Sequence, residues 1–288
     1  MKVKLITDST SCLTAKYLKE EDIDCLESVI LMDDKEYKEL SDLNREKFTE
    51  SLQFLDPYPT TSMASPQNAL DIYEKAIEDG YDKVLYIGLS PNVSGQFNIA
   101  KIAAQHVKDK IKITFFQSGL MGPSEGALVY NASQLLNKGK SVEEVIAILE
   151  KLKERVYTAG CSSNFNSLFR TGKVKKGLAI SVIASALSLR PVFEINLDEG
   201  VVGIGGGTGF KGAIKKIKTA ILNNTTPNTE YDLFISDALA PVLKRKLERK
   251  IKDLLNINST QYLHLPPVIA HSVGKGAVMA TICPVIDE

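Results

Sequence analysis

Apolar runs alternate with amphipathic stretches through the first half of the chain. Residues 83–89 (KVLYIGL) form an unbroken apolar run typical of a buried strand, and residues 96–107 repeat apolar side chains at helical spacing. The same patterns predict further strands over residues 3–7, 25–32 and 112–116, and further helices over residues 13–20, 44–54, 67–79, 125–137 and 142–155. Because strands alternate with helices, we predict an α/β domain with a parallel sheet.

The second half has more glycine and a different order of elements. Residues 190–196 and 201–204 flank Asp198-Glu199-Gly200, a turn sequence that predicts a hairpin. Helices are predicted over residues 178–188, 210–223 and 240–255, a strand over residues 233–236, and two apolar runs over residues 267–270 and 277–283 around a glycine turn. A hairpin implies a mixed or antiparallel sheet. We expect two domains, residues 1–160 and 161–288, with the boundary near residues 157–165.

Length and composition agree with this outline. At 288 residues and 31.6 kDa, the chain is long enough for about two domains of roughly 100–200 residues each. No window of 18 apolar residues is present, and the first apolar run is too short for a signal peptide. The four cysteines show no Cys-x-x-Cys pair and no ligand-like spacing with the three histidines. We therefore expect no metal, no disulfide framework and a cytoplasmic location.

Charge is distributed unevenly along the chain. The formal net charge is zero, which argues against a nucleic-acid-binding protein with an overall basic field. Residues 1–150 carry 16 basic and 24 acidic side chains, a net charge of −8, whereas residues 151–288 carry 19 and 11, a net charge of +8. The predicted helix at residues 240–255 is strongly basic. It is either a solvated face or a surface that docks an acidic partner or contacts a membrane transiently.

A glycine-rich segment matches a nucleotide-binding pattern. Gly207-Thr-Gly209-Phe-Lys-Gly212 has the Gly-x-Gly-x-x-Gly spacing, which binds dinucleotides only between a strand and a helix. Seven glycines fall between residues 200 and 212, so the spacing also arises easily in a hairpin or loop. The hairpin or loop is the favoured interpretation.

The three histidines are the candidates for acid–base chemistry. We interpret His106 as a helix-surface residue and His264 as support for a strand end. His271 follows an apolar run and precedes a glycine turn, so we expect it at the C-terminal end of a strand, facing a cleft. A small-molecule hydrolase or a nucleotide-dependent enzyme, using His271 or the glycine loop at residues 205–212, is the alternative function.

Three hydroxyl-rich loops lie beside the predicted elements. They are Asp8-Ser9-Thr10-Ser11, Thr60-Thr61-Ser62-Met63-Ala64-Ser65-Pro66 and Ser90-Pro91-Asn92-Val93-Ser94-Gly95. Each is also suited simply to cap a helix. In an open α/β sheet, ligands bind beyond the carboxyl ends of the strands, where helix starts present N–H groups to an anion. The hydroxyls of Thr61 and Ser94, the N–H of Gly95 and His271 would suit a carboxylate or phosphate.

The order and spacing of these motifs resemble those of the DegV family over nearly the whole chain. The segments that carry the resemblance are Ile6-Thr7-Asp8-Ser9-Thr10-Ser11, Pro59-Thr60-Thr61-Ser62, Leu89-Ser90-Pro91-Asn92-Val93-Ser94-Gly95, Phe165-Asn166-Ser167-Leu168-Phe169-Arg170-Thr171-Gly172, Leu187-Ser188-Leu189-Arg190-Pro191, and His271 with Gly274 and Gly276. The chain departs from the family pattern at Met63-Ala64, Gln117, Thr171, Lys173 and Thr208.

The resemblance implies both a fold and a function. The fold would be an N-terminal flavodoxin-like α/β/α domain with a parallel sheet, followed by a C-terminal α/β domain with a mixed sheet. The function would be non-catalytic binding of a long-chain fatty acid, which is presented to a separate ATP-dependent kinase for acyl-phosphate formation, without a cofactor. The carboxylate ligands implied are Thr61, Ser62, Ser94, Gly95 and His271, with Arg170 in a supporting role.

An acyl chain also requires an apolar tunnel. Each buried CH₂ group stabilises a complex by about 0.8 kcal/mol, so a tail of roughly 16 carbons gains about 10 kcal/mol before the entropic costs of binding. The candidates to line the tunnel are Leu89, Phe115, Phe165, Leu168 and Ile183. Ordinary core packing is the alternative interpretation for each of them.

Overall fold

The computed structural model describes residues 2–163, 189–197 and 199–286. The strands are β1 (Val3–Asp8), β2 (Ile23–Leu26), β3 (Val29–Met32), β4 (Lys35–Lys38), β5 (Thr60–Ser62), β6 (Lys83–Gly88), β7 (Lys112–Gln117), β8 (Tyr157–Cys161), β9 (Leu189–Asn196), β10 (Gly200–Thr208), β11 (Tyr231–Asp237), β12 (Ile257–Tyr262) and β13 (Val278–Pro284). The helices are α1 (Ala15–Glu20), α2 (Arg45–Ser51), α3 (Pro66–Glu78), α4 (Gln96–Ala104), α5 (Pro123–Asn137), α6 (Val142–Lys153), α7 (Gly209–Asn223), α8 (Pro241–Lys252) and α9 (Pro267–Val273). The helix predicted at residues 178–188 lies outside the described residues.

The predicted parallel sheet is present and has helices on both faces. Its strands lie in the order β2-β1-β6-β7, and every neighbouring pair is parallel. Strand β6 explains why residues 83–89 form an unbroken apolar run. Leu85 and Ile87 join the core that includes α5 and α6, whereas Val84 and Tyr86 join the core under α3 and α4. Alternate side chains point to opposite faces, so both sets must be apolar.

The single strand predicted at residues 25–32 is wrong, because the chain divides there into two strands. Strand β2 belongs to the parallel sheet, whereas β3 starts a small antiparallel sheet of order β4-β3-β5. The polar pair Glu27-Ser28 separates them. A Glu27 carboxylate oxygen accepts backbone N–H bonds from Leu40 and Ser41 at 2.7 and 2.8 Å, and the N–H of Ser28 donates to the hydroxyl of Ser9 at 2.9 Å. These bonds turn the chain away from the first sheet.

The second large sheet is mixed, as predicted. Its six strands lie in the order β10-β9-β8-β13-β11-β12, antiparallel except for the parallel pair β11 and β12. The predicted hairpin is β9 and β10. Helices α7 and α8 pack on one face, while α5 contacts strands of both large sheets. Helix α5 therefore lies between the two halves of the chain. The domain boundary near residues 157–165 stays a prediction.

The glycine-rich segment at residues 205–212 belongs to the hairpin and to the helix that follows it. Residues 205–208 complete β10 and α7 begins at Gly209, so the hairpin interpretation of the motif is the one that the structure shows. A Cβ atom at Gly207 would lie 2.1 Å from the backbone nitrogen of Ala213. Glycine is therefore required at residue 207 for close packing of strand against helix, which accounts for the motif without a nucleotide.

His271 lies on a helix, not at the end of a strand as predicted. Residues 267–273 form α9, with Pro267 at its first turn and Gly274 at its end, where φ is +78°. Proline at the first position and glycine after the last are common helix boundaries. The Pro266-Pro267 pair was therefore the available indication of a helix start. No helix within the described ranges is both long and apolar enough to cross a membrane.

Candidate functional site

An apolar cavity of about 140 Å³ lies between the two large sheets. It sits beyond the carboxyl ends of β6 and β7, where ligands of open α/β sheets bind. The lining comes from the loops after these strands, from the β9–β10 hairpin, and from α9 and β13: Asn92, Val93, Met121, Gly122, Pro123, Phe193, Ile195, Glu199, Val201, Ile269, Ser272, Val273 and Met279. Most of these side chains are apolar, so the cavity suits a hydrocarbon.

His271 is buried beside this cavity and held on several sides. Its ring stacks on Tyr58, with ring centroids 4.8 Å apart, and the Tyr58 hydroxyl donates to the His271 backbone carbonyl at 2.8 Å. Its Nε2 atom lies 2.7 Å from the carbonyl oxygen of Pro59. A carbonyl only accepts, so this bond places a proton on Nε2. The orientation and the Nε2 protonation of His271 are therefore set by Tyr58-Pro59.

Thr61 and Ser62 lie on the strand that directly follows Tyr58-Pro59. Thr61 is half-buried at the centre of β5, opposite Ile30 of β3, and Ser62 is exposed. After β5, the N–H of Ala64 donates to Oε1 of the buried Gln96 at 3.0 Å. The segment at residues 58–64 thus runs from His271 on α9 to the start of α4, and it carries both predicted hydroxyls between them.

Ser94 and Gly95 form the start of α4, as expected. Gly95 is the N-cap residue, and the N–H of Gln96 donates to the Ser94 hydroxyl in a long bond of 3.3 Å. A Cβ atom at Gly95 would lie 2.5 Å from the sulfur of Met63, so the two loops meet at this glycine. The structure therefore joins the segments that carry Thr61, Ser62, Ser94, Gly95 and His271. Arg170 lies outside the described residues.

Five residues were predicted to line an acyl tunnel, and the structure describes two of them. Leu89 is buried in the central core, and Phe115 packs against Tyr86 and Phe97 beneath α4, so neither lines the cavity. Ordinary core packing, the alternative interpretation, accounts for both. Phe165, Leu168 and Ile183 lie outside the described residues. The hairpin residues Phe193, Ile195 and Val201 were missed, because the sequence does not show that the hairpin meets the loops after β6 and β7.

A buried acidic network beneath the site was also missed. The first hydroxyl-rich loop forms a buried turn, Ser9–Ser11, and uses its hydroxyls inside the protein. Thr10 donates to Glu125 at 3.0 Å, and Ser9 donates to Glu39. The other oxygen of Glu39 accepts the N–H of Val268, in the first turn of α9, at 2.8 Å. Glu39 therefore links this turn to the helix that carries His271.

Asp8, at the end of β1, positions the loop that leads to Ser94. Its carboxylate accepts the N–H of Leu89 at 2.8 Å and the hydroxyl of Tyr86. Burial raises the pKa of Asp8 from its usual value to about 6, although hydrogen bonds from Tyr86, Leu89 and Gln96 favour the charged form. Burial also raises the pKa of Glu125, and the nearby Asp8 charge raises it further.

The raised pKa of Asp8 predicts a change in the pH dependence of stability. Between about pH 4 and 6 the folded protein holds a proton on Asp8 that the unfolded chain releases, so the free energy of unfolding falls as the pH rises. The rise of the Asp8 pKa from 3.8 to about 6 makes the folded state about 2–3 kcal/mol less stable above pH 6 than below pH 4. In Asp8→Asn this part of the pH dependence should disappear. Urea denaturation at several pH values measures it, with the exposed Asp71→Asn as control, and equal slopes in wild type and Asp8→Asn would contradict the assignment.

Tyr58 predicts a second measurable effect at the site. Tyr58→Phe keeps the stacked ring but removes the bond to the His271 carbonyl, so the free energy of unfolding should fall by about 1 kcal/mol. Tyr58→Leu should cost more, because it also removes the ring contact. Tyr37→Phe, a half-buried tyrosine on β4, is the control for the loss of a hydroxyl. A loss no larger in Tyr58→Phe than in Tyr37→Phe would show that the bond does not stabilise the fold.

The basic helix predicted at residues 240–255 is α8, and some of its basic side chains form ion pairs with nearby carboxylates. Lys244 contacts Asp237 at 2.6 Å, and Lys252 contacts Glu248 at 2.7 Å. Arg245, Lys246 and Arg249 are exposed and form no ion pair with the residues that the structure describes. Docking on this face stays a prediction.

The fold and the site together define a class: an α/β protein with two large sheets, an apolar cavity between its halves, and hydroxyls and a histidine beside the cavity. Comparison with known proteins identifies the family. The DegV family model, described as an uncharacterised protein, matches residues 2–285. A DegV domain-containing protein of Clostridium acetobutylicum is 30% identical over 280 residues, 96% of this chain and 97% of the relative. The chain belongs to the DegV family.

Solved structures support the same conclusion. A DegV family protein from Thermus thermophilus, described as binding fatty acid, superimposes with a TM-score of 0.89 at 23% identity, over 99% of this chain and 100% of that one. A fatty-acid-binding DegV family protein from Streptococcus agalactiae does so with a TM-score of 0.84 at 25% identity, over 99% and 100%. The expected family and the expected α/β fold with a parallel and a mixed sheet are confirmed.

Proposed function

We propose that this protein binds a long-chain fatty acid, with the tail in the cavity between the sheets and the carboxylate beside His271. The apolar cavity beyond the carboxyl ends of the parallel strands carries this proposal. Its lining offers many apolar atoms and few hydrogen-bonding groups, which suits a ligand with one polar end. The fatty-acid-binding relatives in the same family support the proposal.

The size of the cavity has a consequence for binding. Its volume of about 140 Å³ is below the roughly 300–1,000 Å³ of typical pockets for drug-sized ligands. Within the part of the chain that the structure describes, the cavity admits an acyl chain of about 16 carbons only if side chains or segments around it move apart. The gain of about 0.8 kcal/mol for each buried CH₂ group is large enough to offset such an opening.

The carboxylate is assigned to Thr61, Ser62, Ser94, Gly95 and His271. A carboxylate removed from water must accept hydrogen bonds, because a buried unpaired charge is very costly. Hydroxyl groups and the start of α4 supply donors without adding a fixed positive charge. Tyr58 and Pro59 hold His271 in place, and Asp8 and Gln96 hold the loop before α4.

A matched pair of ligands tests this assignment. Palmitate should raise the midpoint of thermal unfolding, since a ligand that binds only the folded state stabilises it. Hexadecanol has the same tail but no carboxylate, and it should stabilise the protein much less. Equal stabilisation by the two ligands would reject the carboxylate site while leaving tail binding intact. No stabilisation by either ligand would reject the fatty-acid proposal.

We further propose that the bound acid is presented to a separate ATP-dependent kinase, and that this chain alone performs no catalysis. Hydroxyl and imidazole contacts leave a carboxylate oxygen able to attack a phosphoryl group that a partner delivers. Incubation of the loaded protein with Mg²⁺ and ATP should yield no acyl phosphate, as assayed by hydroxamate formation. Formation of acyl phosphate by this chain alone would contradict the proposal.

A further inference from the structure

A second pocket lies between α2 and α8, and it shares no lining residue with the apolar cavity. Its volume is about 210 Å³, and its walls include Arg45 and Thr49 from the first half of the chain and Lys244, His264 and Asp237 from the second. The pocket is therefore polar and lies where the two halves meet. Sites between the units of a protein are common places for small ligands.

Arg45 is a poorly compensated cation in this pocket. Its side chain is only 27% exposed, and burial lowers the pKa of its guanidinium. Within the described residues its only ion pair is a distant one, 3.7 Å, with the adjacent and largely exposed Glu46. A half-buried guanidinium normally has a closer anionic partner, because its planar donors favour direct bonds to oxyanions.

The more buried of the two acidic residues in the pocket, Asp237, already has partners. Asp237 contacts the Lys244 ammonium at 2.6 Å through Oδ1, and its Oδ2 accepts the N–H of Ala240 at 2.6 Å. The charges of Asp237 and Lys244 offset each other. Arg45 and His264 are therefore the groups in the pocket whose donors are available for a further anion.

The electrostatic environment of His264 also favours an anion. Desolvation lowers the pKa of His264, and the nearby cations Arg45 and Lys244 lower it further. The carboxylates of Asp237 and Glu46 raise this pKa, but by less than the two cations lower it. The acidic and basic groups that face the imidazole thus leave a net positive field. An oxyanion bound between Arg45 and His264 would remove this penalty and favour the imidazolium.

We propose that this pocket binds a tetrahedral oxyanion, such as the phosphate group of a small ligand, through Arg45 and His264. A volume of about 210 Å³ leaves room for a phosphate and an attached group. The anion would bridge α2 and the segment that follows β12. The proposal does not rest on fatty-acid binding, because the two pockets share no lining residue.

Proton NMR of the histidine rings tests the proposal on the whole protein. The chain has only three histidines, and the ring resonance of His264 is the one that disappears in His264→Gln. Sulfate is the probe, because its charge does not change between pH 5 and 8, and sodium chloride at equal ionic strength is the control. We expect sulfate to raise the pKa of His264 by at least half a unit, with an effect that saturates as the sulfate concentration increases. In sodium chloride the pKa of His264 should stay below its value in sulfate. An equal, non-saturating response to both salts would overturn the proposal.

Two variants locate the site. Arg45→Gln should weaken sulfate binding at least fivefold, whereas Arg249→Gln, an exposed arginine on α8, should leave it unchanged. Equal sulfate affinity in Arg45→Gln and wild type would also overturn the proposal. If Arg45→Gln fails to fold, the comparison of sulfate with chloride on the wild type decides alone. Methyl phosphate that binds as tightly as sulfate assigns the pocket to a phosphate ester, and binding of inorganic phosphate alone assigns it to the free ion.

Discussion

His271→Ala is expected to weaken palmitate binding by about 10- to 100-fold. Hydrogen bonds to a charged group contribute about 1.5–3 kcal/mol each, and 1.4 kcal/mol corresponds to a factor of ten in affinity. With Nε2 donating to Pro59, His271 donates to the carboxylate through Nδ1 as the imidazolium, so removal of the ring takes away one such donor and also the contacts with Tyr58 and Pro59 that hold the segment before Thr61. Ser94→Ala, which deletes a single hydroxyl, should weaken binding about tenfold.

The affinity is measured by titrating palmitate into purified, delipidated protein in a calorimeter. His106→Ala is the matched control, since it removes a histidine that lies just after α4 and outside the cavity lining. The thermal midpoint of each variant separates loss of binding from loss of folding. Affinities of His271→Ala and Ser94→Ala that both equal wild type would remove these residues from the carboxylate site.

Gly126→Ala is expected to lower the free energy of unfolding by about 2 kcal/mol. Gly126 lies on α5 where the helix crosses the buried turn at residues 9–11, and a Cβ atom there would lie 2.1 Å from the carbonyl oxygen of Ser11. The neighbour is backbone, so the clash is relieved only if helix and turn move apart, a change that costs about 1–3 kcal/mol or more. On helix propensity alone, the substitution would stabilise the protein by about 1 kcal/mol.

The sign of the change in the free energy of unfolding shows whether the clash with Ser11 or the higher helix propensity of alanine dominates. Urea denaturation of wild type, Gly126→Ala and Gln134→Ala, a half-buried position on the same helix, measures it. Gln134→Ala should differ little from wild type, because it removes only a long bond of 3.3 Å to Tyr17. A Gly126→Ala protein as stable as wild type would show that the turn has room to adjust, and that the packing of α5 against it is looser than described.

Much of the fold could be predicted because its causes are local. The alternation of apolar and amphipathic segments predicted the parallel sheet, and Asp198-Glu199-Gly200 predicted the hairpin of β9 and β10. The error at residues 25–32 shows the limit of this reasoning. An apolar run contains no information about which of two sheets each part joins, and Glu27 and Ser28 turn the chain by bonding to residues distant in sequence.

The residue types of the candidate site stay a prediction from the sequence, and the contacts that support them in the fold could not be predicted from it. Hydroxyls before helices and a histidine beside glycines pointed to Thr61, Ser94 and His271. The contacts that hold His271 come from Tyr58 and Pro59, more than 210 residues away along the chain. Glu39 likewise meets Val268 across 229 residues. Such non-local contacts form only in the folded chain, so no local pattern indicates them.

Analysis of the ligand in the purified protein tests the central claim most directly. The protein is purified without added lipid, extracted with organic solvent, and the extract is examined by mass spectrometry against a protein of similar size from the same host. We expect a long-chain fatty acid at a ratio approaching one molecule per chain. A nucleotide, or no lipid above the level of the control protein together with no uptake of added palmitate, would contradict the proposed function.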